Sequence, residues 1–563
     1  MKKKLKENKL IIIFFLILFL VAIPNFSQIN GNIDETLEQN IVLNNFSGYA
    51  QFFHNNEVLF SLTNIGITPI TYSVEIDHGV ACYYPLIPIL LTRQLFPDLV
   101  SNIWHIYIFM IFFLGVIFFY KTIKLLFNNE KIAIIMTLLY YFSPRIFIDA
   151  MHNNKDIALM SLLIITIYYL IKIIKKEKNK DMIIFAIVAA FLSNIKIIGV
   201  FFTGILGLEY IIYLLINKKM SKEKVVDIIF VFVLYFLIFM FITPAMWSNG
   251  LDIVGYFKYC LLNSTQFSRW VGKILFEGKR YYIYKGSKDI LPWYYIPKNI
   301  SLTLPLIVLF MFVVSIISFL FITIKKIIKK KKLIQSDYHF TSIIIMLIIP
   351  LLVCIISHPV LYNSWRHFYF LYGLILLISS YILNLIWNKK HKNILVILII
   401  ISLSCSIYNI KKYGVKNAAY YNILAGTNDI SKRYELDYYN ITSKDAIEKF
   451  INSNKKIVNK DKKVYLFPMG VPVMNSMYNQ TISSSLYLSD RVIIVDNGGL
   501  NDLIKEGKKV YLVSNPVYTF DDLSSYKLIY NYKYKNSSLV KFYLINKDNY
   551  KEILKKDSKY YEN

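Results

Sequence analysis

The sequence is 563 residues long, 56% apolar and only 18% charged, and it carries a formal net charge of +28. Soluble domains usually contain about 25% charged residues, so this composition excludes a set of soluble domains and predicts a polytopic membrane protein. The lysines stand in short groups between apolar runs, which excludes nucleic acid as a partner. Four widely spaced cysteines without a CxxC motif exclude a zinc site and a disulfide framework. Free thiols are favoured, with a Cys82–Cys260 disulfide as the alternative.

Eleven apolar stretches approach the length of about 20 residues that a bilayer core requires. The first follows a lysine-rich start and resembles a signal peptide, but no small-residue cleavage site follows it, so we interpret it as a span. Two further stretches meet at Asn194, Ile195 and Lys196 and are interpreted as two spans. In chain order the predicted spans are 10–23, 101–120, 131–147, 157–174, 182–194, 197–216, 225–243, 300–324, 340–357, 367–386 and 393–409.

Lysine clusters occupy alternate connections between these spans, and the positive-inside rule therefore predicts a cytoplasmic N-terminus. The composition, rich in Ile, Lys, Asn and Tyr, favours a bacterial plasma (inner) membrane. The outer face then carries loops at 25–100 and 244–298, the turns at 143–156, 194–196 and 357–366, and the whole C-terminal tail.

The tail changes character after residue 409, which we take as a domain boundary. Residues 1–409 are predicted to form the membrane module and 410–563 a small extracytoplasmic α/β domain, because β-rich runs alternate with short helices. A helix is predicted at 444–453, and strands at 464–467, 491–495, 509–514, 527–530 and 539–545. Residues 497–500 (NGGL) are interpreted as a turn.

An acidic pair, Asp34 and Glu35, follows the first span closely. A carboxylate at a membrane exit is suited to deprotonating an incoming hydroxyl or to binding a divalent cation. The alternative is structural, because Asp34 with Glu38 would also open an amphipathic helix that runs through Phe46.

The same loop carries Asp77, His78 and Gly79. Asp77 and His78 are suited to orienting a substrate sugar or a metal. A loop carboxylate beside a glycine is also typical of a plain turn, and this remains the alternative.

The turn at 143–156 is rich in ionisable side chains: Arg145, Asp149, His152, Lys155 and Asp156. Ionisable residues at membrane depth are costly and usually mark a site. A plain short turn needs none of them, so the pattern favours a functional site.

A fourth polar group, at 357–367, contains Tyr362, Trp365, Arg366 and His367. The guanidinium of Arg366 offers a fork of donors that matches phosphate oxygens. The alternative is interfacial anchoring by Trp365 and snorkelling of Arg366. Lys196, in the turn between two closely spaced spans, is a further candidate cation.

Taken together, the acidic pair after a short first span, the large first outer loop, an Asp in the second outer turn, about eleven spans and an external C-terminal domain resemble the GT-C superfamily of membrane glycosyltransferases. The closer resemblance is to bacterial relatives of the dolichyl-phosphate-mannose protein mannosyltransferases and of the lipid A aminoarabinose transferases. It reaches to about residue 450, and the tail beyond it resembles no known pattern. The motifs are SPRIFIDAMHNNKDIALM (143–160), LPWYYIPKNI (291–300), LYNSWRHFYF (361–370) and YYNILAGTNDISKRYELDYYN (420–440).

The resemblance implies an inverting transferase that moves a hexosyl or pentosyl group from a polyprenyl phosphate to a glycan, lipid or protein acceptor at the outer face. A divalent cation is the one cofactor considered, because Asp156 is expected to hold Lys155, to bind a metal or to contact the sugar. The expected roles are catalysis for Asp34 (the base), Glu35 and Asp156; binding of the donor phosphate for Arg366, Lys196, Lys155 and His367; and substrate binding for Asp77, His78, His152, Arg145 and Tyr362.

Two other classes of protein remain as alternatives. A transporter or flippase of lipid-linked sugars is expected to show internally repeated halves with interrupted helices near the midplane. The polar residues here concentrate at the outer ends of spans instead. A non-catalytic surface protein with a membrane anchor is the third class, and it needs far fewer than eleven spans.

Overall fold

The structure is a computed structural model that describes residues 2–26, 28–29, 31–73, 75–248, 253–266, 272–284, 286–453, 457–458, 461–470, 473–483, 485–519 and 521–560. Its first part is helical apart from one β-hairpin. The elements of this part are α1 (Lys2–Phe26), α2 (Ile33–Phe52), α3 (Asn56–Asn64), α4 (Ile87–Leu90), α5 (Pro97–Phe127), α6 (Glu130–Tyr141), α7 (Pro144–Asp149), α8 (Asn154–Lys176), α9 (Asn179–Ile195), α10 (Ile198–Ile216), α11 (Lys222–Phe241), α12 (Ala245–Ser248), α13 (Ile253–Gln266), β1 (Gly272–Phe276), β2 (Lys279–Ile283), α14 (Tyr295–Thr303), α15 (Leu306–Ile328), α16 (Gln335–Ser357), α17 (Phe370–Ile386) and α18 (Lys392–Tyr413).

Within the described residues, 8 helices are long and apolar enough to cross a membrane: α1, α5, α8, α10, α11, α15, α16 and α18. The chain is therefore a multi-pass α-helical membrane protein, as predicted. The three remaining predicted spans are also helical but shorter, with 12 residues in α6 and 17 each in α9 and α17. The predicted number of eleven spans is therefore not confirmed.

The doubtful region at 182–216 forms two helices. α9 ends at Ile195, Lys196 has an extended backbone (φ −152°, ψ 143°), and α10 begins at Ile198. The two helices approach so closely that a Cβ at Gly199 would lie 2.2 Å from the carbonyl oxygen of Leu192. Only glycine fits there, and the sharp reversal leaves Lys196 at the tip of the connection.

The short helix α17 lies inside the bundle. Its side chains from Phe370 to Tyr381 are buried, and it packs against α8 and α15. Because protein rather than lipid surrounds it, its stability comes from side-chain packing and does not require the length of a lipid-facing span. The four cysteines are free, so the alternative of a Cys82–Cys260 disulfide is not realised.

The C-terminal part is an α/β domain, as predicted. Its sheet has the strand order β4-β3-β5-β7-β6, in which β3 runs parallel to β4 and β5, while β7 runs antiparallel to β5 and β6. Its elements are α19 (Ser443–Ser453), β3 (Val464–Met469), α20 (Val473–Ser483), α21 (Leu486–Ser489), β4 (Val492–Ile494), α22 (Asn497–Lys505), β5 (Val510–Ser514), β6 (Leu528–Tyr534), β7 (Ser537–Ile545) and α23 (Tyr550–Ser558).

The interpretation of residues 497–500 as a turn is wrong. These residues open α22, and the carboxylate of Asp496 caps the helix by accepting a hydrogen bond of 2.8 Å from the amide of Gly499. An aspartate in the N-cap position satisfies a backbone donor that has no partner within the helix, so the two glycines are tolerated in its first turn.

A connecting segment, residues 414–440, joins α18 to the α/β domain and packs against the helical part. The amide of Asn422 donates to the carbonyl of Leu302 (2.7 Å), and its side chain donates to the carbonyls of Ser301 and Leu304. The division of the chain into 1–409 and 410–563 stays a prediction, since this segment lies beyond residue 409 and is fastened to the helices.

Candidate active site

Asp34 lies in the first turn of α2, where it meets Arg366 from a turn more than 300 residues away. The side chain of Asn32 caps α2 by accepting from the amide of Asp34, so the capping role considered for Asp34 belongs to Asn32. Arg366 Nη1 lies 3.3 Å from Asp34 Oδ2. The Asp34 side chain is 34% exposed and that of Arg366 only 7%, so the pair stands at the boundary between protein and solvent.

Arg366 is enclosed by three tyrosine rings. Its guanidinium carbon lies 4.5 Å from the ring centre of Tyr362, 4.8 Å from that of Tyr439 and 5.4 Å from that of Tyr438. Cation–π contacts of this kind stabilise a desolvated guanidinium and fix its plane. These rings hold the buried arginine beside one partly exposed carboxylate. The guanidinium therefore does not extend into water, which contradicts the alternative of snorkelling.

Two further ion pairs lie next to this one. Lys196, at the tip between α9 and α10, pairs with Asp156, and Lys155 pairs with Glu38 of α2. The predicted pairing of Asp156 with Lys155 is therefore wrong. The reason is local, because Asn153 caps α8 and holds Asp156 by a side-chain bond of 3.0 Å, directing it away from the preceding lysine.

The ring of His367 lies close to these charged side chains. Burial first, and then Arg366 and Lys196, hold the pKa of His367 well below its usual range. Burial also lowers the pKa of Lys196. A neutral His367 would be a hydrogen-bonding group rather than a cation, so the positive charge of the cluster comes from the arginine and the lysines.

Glu35 turns into the protein and does not share the surroundings of Asp34. Its Oε2 lies 2.8 Å from Nε2 of His105 on α5, and its Oε1 accepts from Gln39. Both members of the Glu35–His105 pair are almost fully buried. His105 was not predicted as a site residue, although an ionisable side chain within an apolar span is a recognisable signal.

The loop with Asp77 and His78 reaches the same cluster. Gly79 makes this approach feasible, because a Cβ there would lie 1.4 Å from the carbonyl oxygen of Asn194. His78 Nδ1 lies 2.7 Å from the ammonium of Lys155 and 3.2 Å from Glu75. Within the described residues, Glu75, Asp77 and His78 are also the one group whose ligand atoms lie close enough together, within 4.8 Å, for a metal ion.

Arg145 and His152 lie deeper, in a hydrogen-bonded network. Arg145 donates to the hydroxyl of Tyr369 (3.1 Å) and to the side chain of Asn363 (3.2 Å). Asp149 accepts from Tyr369 and lies 3.2 Å from His152 Nε2. Arg145 is 2% exposed and does not line the cavity described next. The network joins the turn at 143–156 to the turn at 357–366, and substrate binding by Arg145 and His152 stays a prediction.

An apolar cavity of about 350 Å³ opens beside the ion pairs. Its long walls come from α10 and α16, and its polar end comes from the loop at 77–78 and from Lys196 and His367. This combination of an apolar channel with a polar, cationic end is what a lipid phosphate requires. The apolar walls contain Ile198, Phe201, Ile349, Pro350, Val353 and Phe370.

Several residues of the cluster lie outside the predicted site: Glu38, His105, Tyr438 and Tyr439. The two tyrosines fall within the motif at 420–440, which indicated that the segment matters without identifying which side chain faces Arg366. Glu38 was considered only as part of a helix. Its neighbours in space, Asn154 and Lys155, are over 100 residues away in the chain, so periodicity gave no signal.

The sequence matches the family model described as "Dolichyl-phosphate-mannose-protein mannosyltransferase" over residues 89–247. This part of the chain includes Asp156 and Lys196 and leaves out Asp34 and Arg366. No curated protein matches the sequence.

Two solved structures of ArnT from Cupriavidus metallidurans are similar to the chain. The form bound to undecaprenyl phosphate has a TM-score of 0.46 at 11% identity, and the apo form a TM-score of 0.32 at 9% identity. Each comparison covers 95% of this chain and 98% of the other. These TM-scores are too low to support an argument about function. The match over residues 89–247 confirms the predicted resemblance to the dolichyl-phosphate-mannose protein mannosyltransferases for that part of the chain.

Proposed function

We propose that this protein is an inverting glycosyltransferase that moves a sugar from a polyprenyl-phosphate-linked donor to an acceptor at the outer face of a bacterial plasma membrane. The observation that carries the proposal is the Asp34–Arg366 pair beside an apolar cavity whose polar end holds Lys196 and His367. An apolar cavity of this kind suits a lipid chain, and its cationic end suits the phosphate that the chain carries. The protein mannosyltransferase match supports the same class of reaction.

In this mechanism Asp34 is the general base. It takes the proton from the acceptor hydroxyl or amine while the acceptor atom attacks the anomeric carbon, and the bond from that carbon to the phosphate oxygen breaks. The polyprenyl phosphate leaves with one additional negative charge. Asp34 is suited to this role because it is the partly exposed carboxylate of the three ion pairs, whereas Asp156 and Glu38 are buried.

Arg366 and Lys196 stabilise the leaving phosphate. Preorganised cations aimed at developing charge are usually a large part of catalysis, because they need no reorganisation during the reaction. Before the donor binds, Asp34 and Asp156 neutralise these cations; an arriving phosphate competes for the same donors and releases Asp34 to act as a base. Lys155 and His367 assist at the same end. Beside it lie Glu75, Asp77 and His78, whose ligand atoms are close enough together to hold a metal ion.

The test is transfer of radiolabelled sugar from a panel of polyprenyl-phosphate sugars to endogenous acceptors in membranes that contain the native chain or Asp34→Asn. Asp502→Asn, at an exposed aspartate of α22, is the matched control. Transfer by the native chain and the control, but not by Asp34→Asn at equal abundance, supports the proposal. Movement of intact lipid-linked sugar across the membrane without transfer contradicts it and identifies a flippase.

A further inference from the structure

A second cavity, of about 200 Å³, lies between the start of α5 and the C-terminal domain. Its walls are polar, unlike those of the first cavity. They include Gly31, Asp98, Ser101, Asn102, Lys444 and Ser485. Lys444 and Ser485 belong to the α/β domain, so the cavity exists only where that domain meets the helical part.

One face of α5 leads from this polar cavity to the acidic pair. Asp98, Ser101, Asn102 and His105 follow the spacing i, i+3, i+4 and i+7, which places them along one side of the helix. His105 then contacts Glu35 at 2.8 Å. A polar stripe within the first turns of an apolar span is costly unless ligand or water contacts it.

Gly31 forms the wall between the cavity and Glu35. A Cβ at Gly31 would lie 3.5 Å from Glu35 Oε2 and 3.4 Å from Gln480 Nε2. Gln480 also donates to Thr36 Oγ1 at 3.1 Å, which fixes α20 of the C-terminal domain against the first turns of α2. The domain is therefore attached at the acidic pair itself.

The wall of the cavity carries both hydrogen-bond donors and acceptors. Asp98 contributes a carboxylate, Lys444 an ammonium group, Ser101 and Ser485 hydroxyls, and Asn102 an amide. A sugar ring has hydroxyls that both donate and accept, so it needs such a mixture.

We propose that this polar cavity binds a sugar ring of a carbohydrate acceptor, whose hydroxyl receives the transferred sugar. The inference rests on the proposed function, because it names the acceptor class of the same transfer. Pockets for drug-sized ligands occupy roughly 300–1,000 Å³, so a cavity of about 200 Å³ suits a single ring. The mixed donors and acceptors match a ring with several hydroxyls, and the scarcity of apolar wall excludes a lipid chain.

The test uses the full-length protein in membranes, a donor that the native chain accepts, and methyl hexosides as acceptor probes. Ser101→Trp fills the cavity, and Leu99→Trp, at an exposed leucine of the same helix that does not line the cavity, is its matched control. Lys444→Met removes the ammonium, and Lys449→Met, at an exposed lysine of the same helix, is its control. Hydrolysis of the donor to free labelled sugar, without any acceptor, is measured in parallel.

We expect Ser101→Trp and Lys444→Met to raise the KM for the methyl hexoside roughly ten- to hundredfold, since each removes hydrogen bonds to a charged or closely packed group. Donor hydrolysis and both controls stay at the native level. Equal transfer by Ser101→Trp and Leu99→Trp, with Lys444→Met unchanged, overturns the inference while leaving the proposed function intact. Transfer to peptides but not to hexosides overturns it as well. If the native chain neither transfers nor hydrolyses any donor, the proposed function itself fails.

Discussion

Arg145 and Arg366 are both buried arginines in polar turns, but their surroundings differ. Arg145 donates to Tyr369 and Asn363 and is closed off by protein. Arg366 lies between tyrosine rings and pairs with Asp34, whose side chain is 34% exposed. The same residue type is therefore hydrogen-bonded to neutral oxygens in one turn and paired with a partly exposed carboxylate in the other.

The two guanidinium groups differ in the chemical groups that accept their hydrogen bonds. Arg145 donates to neutral oxygens of Tyr369 and Asn363, and the carboxylate of Asp149 lies 3.9 Å away. Arg366 instead pairs with one carboxylate, and under the proposed function an incoming phosphate competes with it. That proposal therefore gives Arg366 a functional role and Arg145 a structural one, although both side chains are buried.

The largest effect is expected at the partner of Arg366. Asp34→Asn removes the general base and is expected to lower the rate of sugar transfer roughly 10²- to 10⁴-fold, the usual contribution of a positioned base. The measurement is initial rate in membranes at equal protein abundance. Native rates in Asp34→Asn would place the base elsewhere and would make Arg366 the only functional member of the pair.

Arg145→Met tests the structural role of Arg145. Removing one partner from a buried charged network usually costs about 3–5 kcal/mol, so the variant is expected to melt well below the native protein in detergent. Arg433→Met, at an exposed arginine of the connecting segment, is the comparison variant. An unchanged melting temperature together with lost transfer would move Arg145 into the substrate site and abolish the contrast with Arg366.

Arg366→Lys tests the proposed role of Arg366 in binding the donor phosphate. Lysine keeps the charge but loses the planar fork and the stacking, so transfer is expected to fall roughly 10²-fold, by analogy with loss of one preorganised donor. The melting temperature is expected to stay near that of the native protein. Arg491→Lys, at an arginine that stacks on one tyrosine ring at 3.9 Å, controls for loss of stacking alone. A large drop in melting temperature with native transfer would give Arg366 a structural role like that of Arg145.

The smallest effect concerns Glu435, which accepts from the amide of Ser364 and lies near Arg145. Burial raises the pKa of Glu435 to about 7 from its ordinary value of 4.5. Since the folded pKa lies above the unfolded one, its contribution to stability is complete below the unfolded value and is lost as the pH rises through about 7.

The native protein is accordingly expected to lose roughly 2 kcal/mol of stability from this group between about pH 5 and pH 8. Glu435→Gln is expected to flatten that part of the pH profile of the melting temperature. Glu448→Gln, at a half-buried glutamate of α19, is the control. Identical slopes for the native chain and Glu435→Gln would contradict the raised pKa.

Much of the architecture follows from local sequence. Apolar runs of sufficient length become helices because the bilayer leaves backbone groups no other partner, and the five predicted strands of the tail occur where β-rich runs stand between turns. The count of membrane-crossing spans is less secure, since α6, α9 and α17 are shorter and α17 is enclosed by protein.

Sequence by itself also placed ionisable residues in the polar turns of the candidate site, because charges near apolar spans are recognisable one residue at a time. Only the tertiary structure decided which of them meet. Asp34 and Arg366 are separated by 332 positions, and the lysine that pairs with Asp156 is Lys196 rather than its neighbour Lys155. Pairings of this kind depend on helix caps, on close approaches such as Gly79 and on rings from the connecting segment. No local sequence pattern encodes those features. The tertiary packing therefore decides that Arg145 is buried among neutral acceptors and that Arg366 pairs with a partly exposed carboxylate.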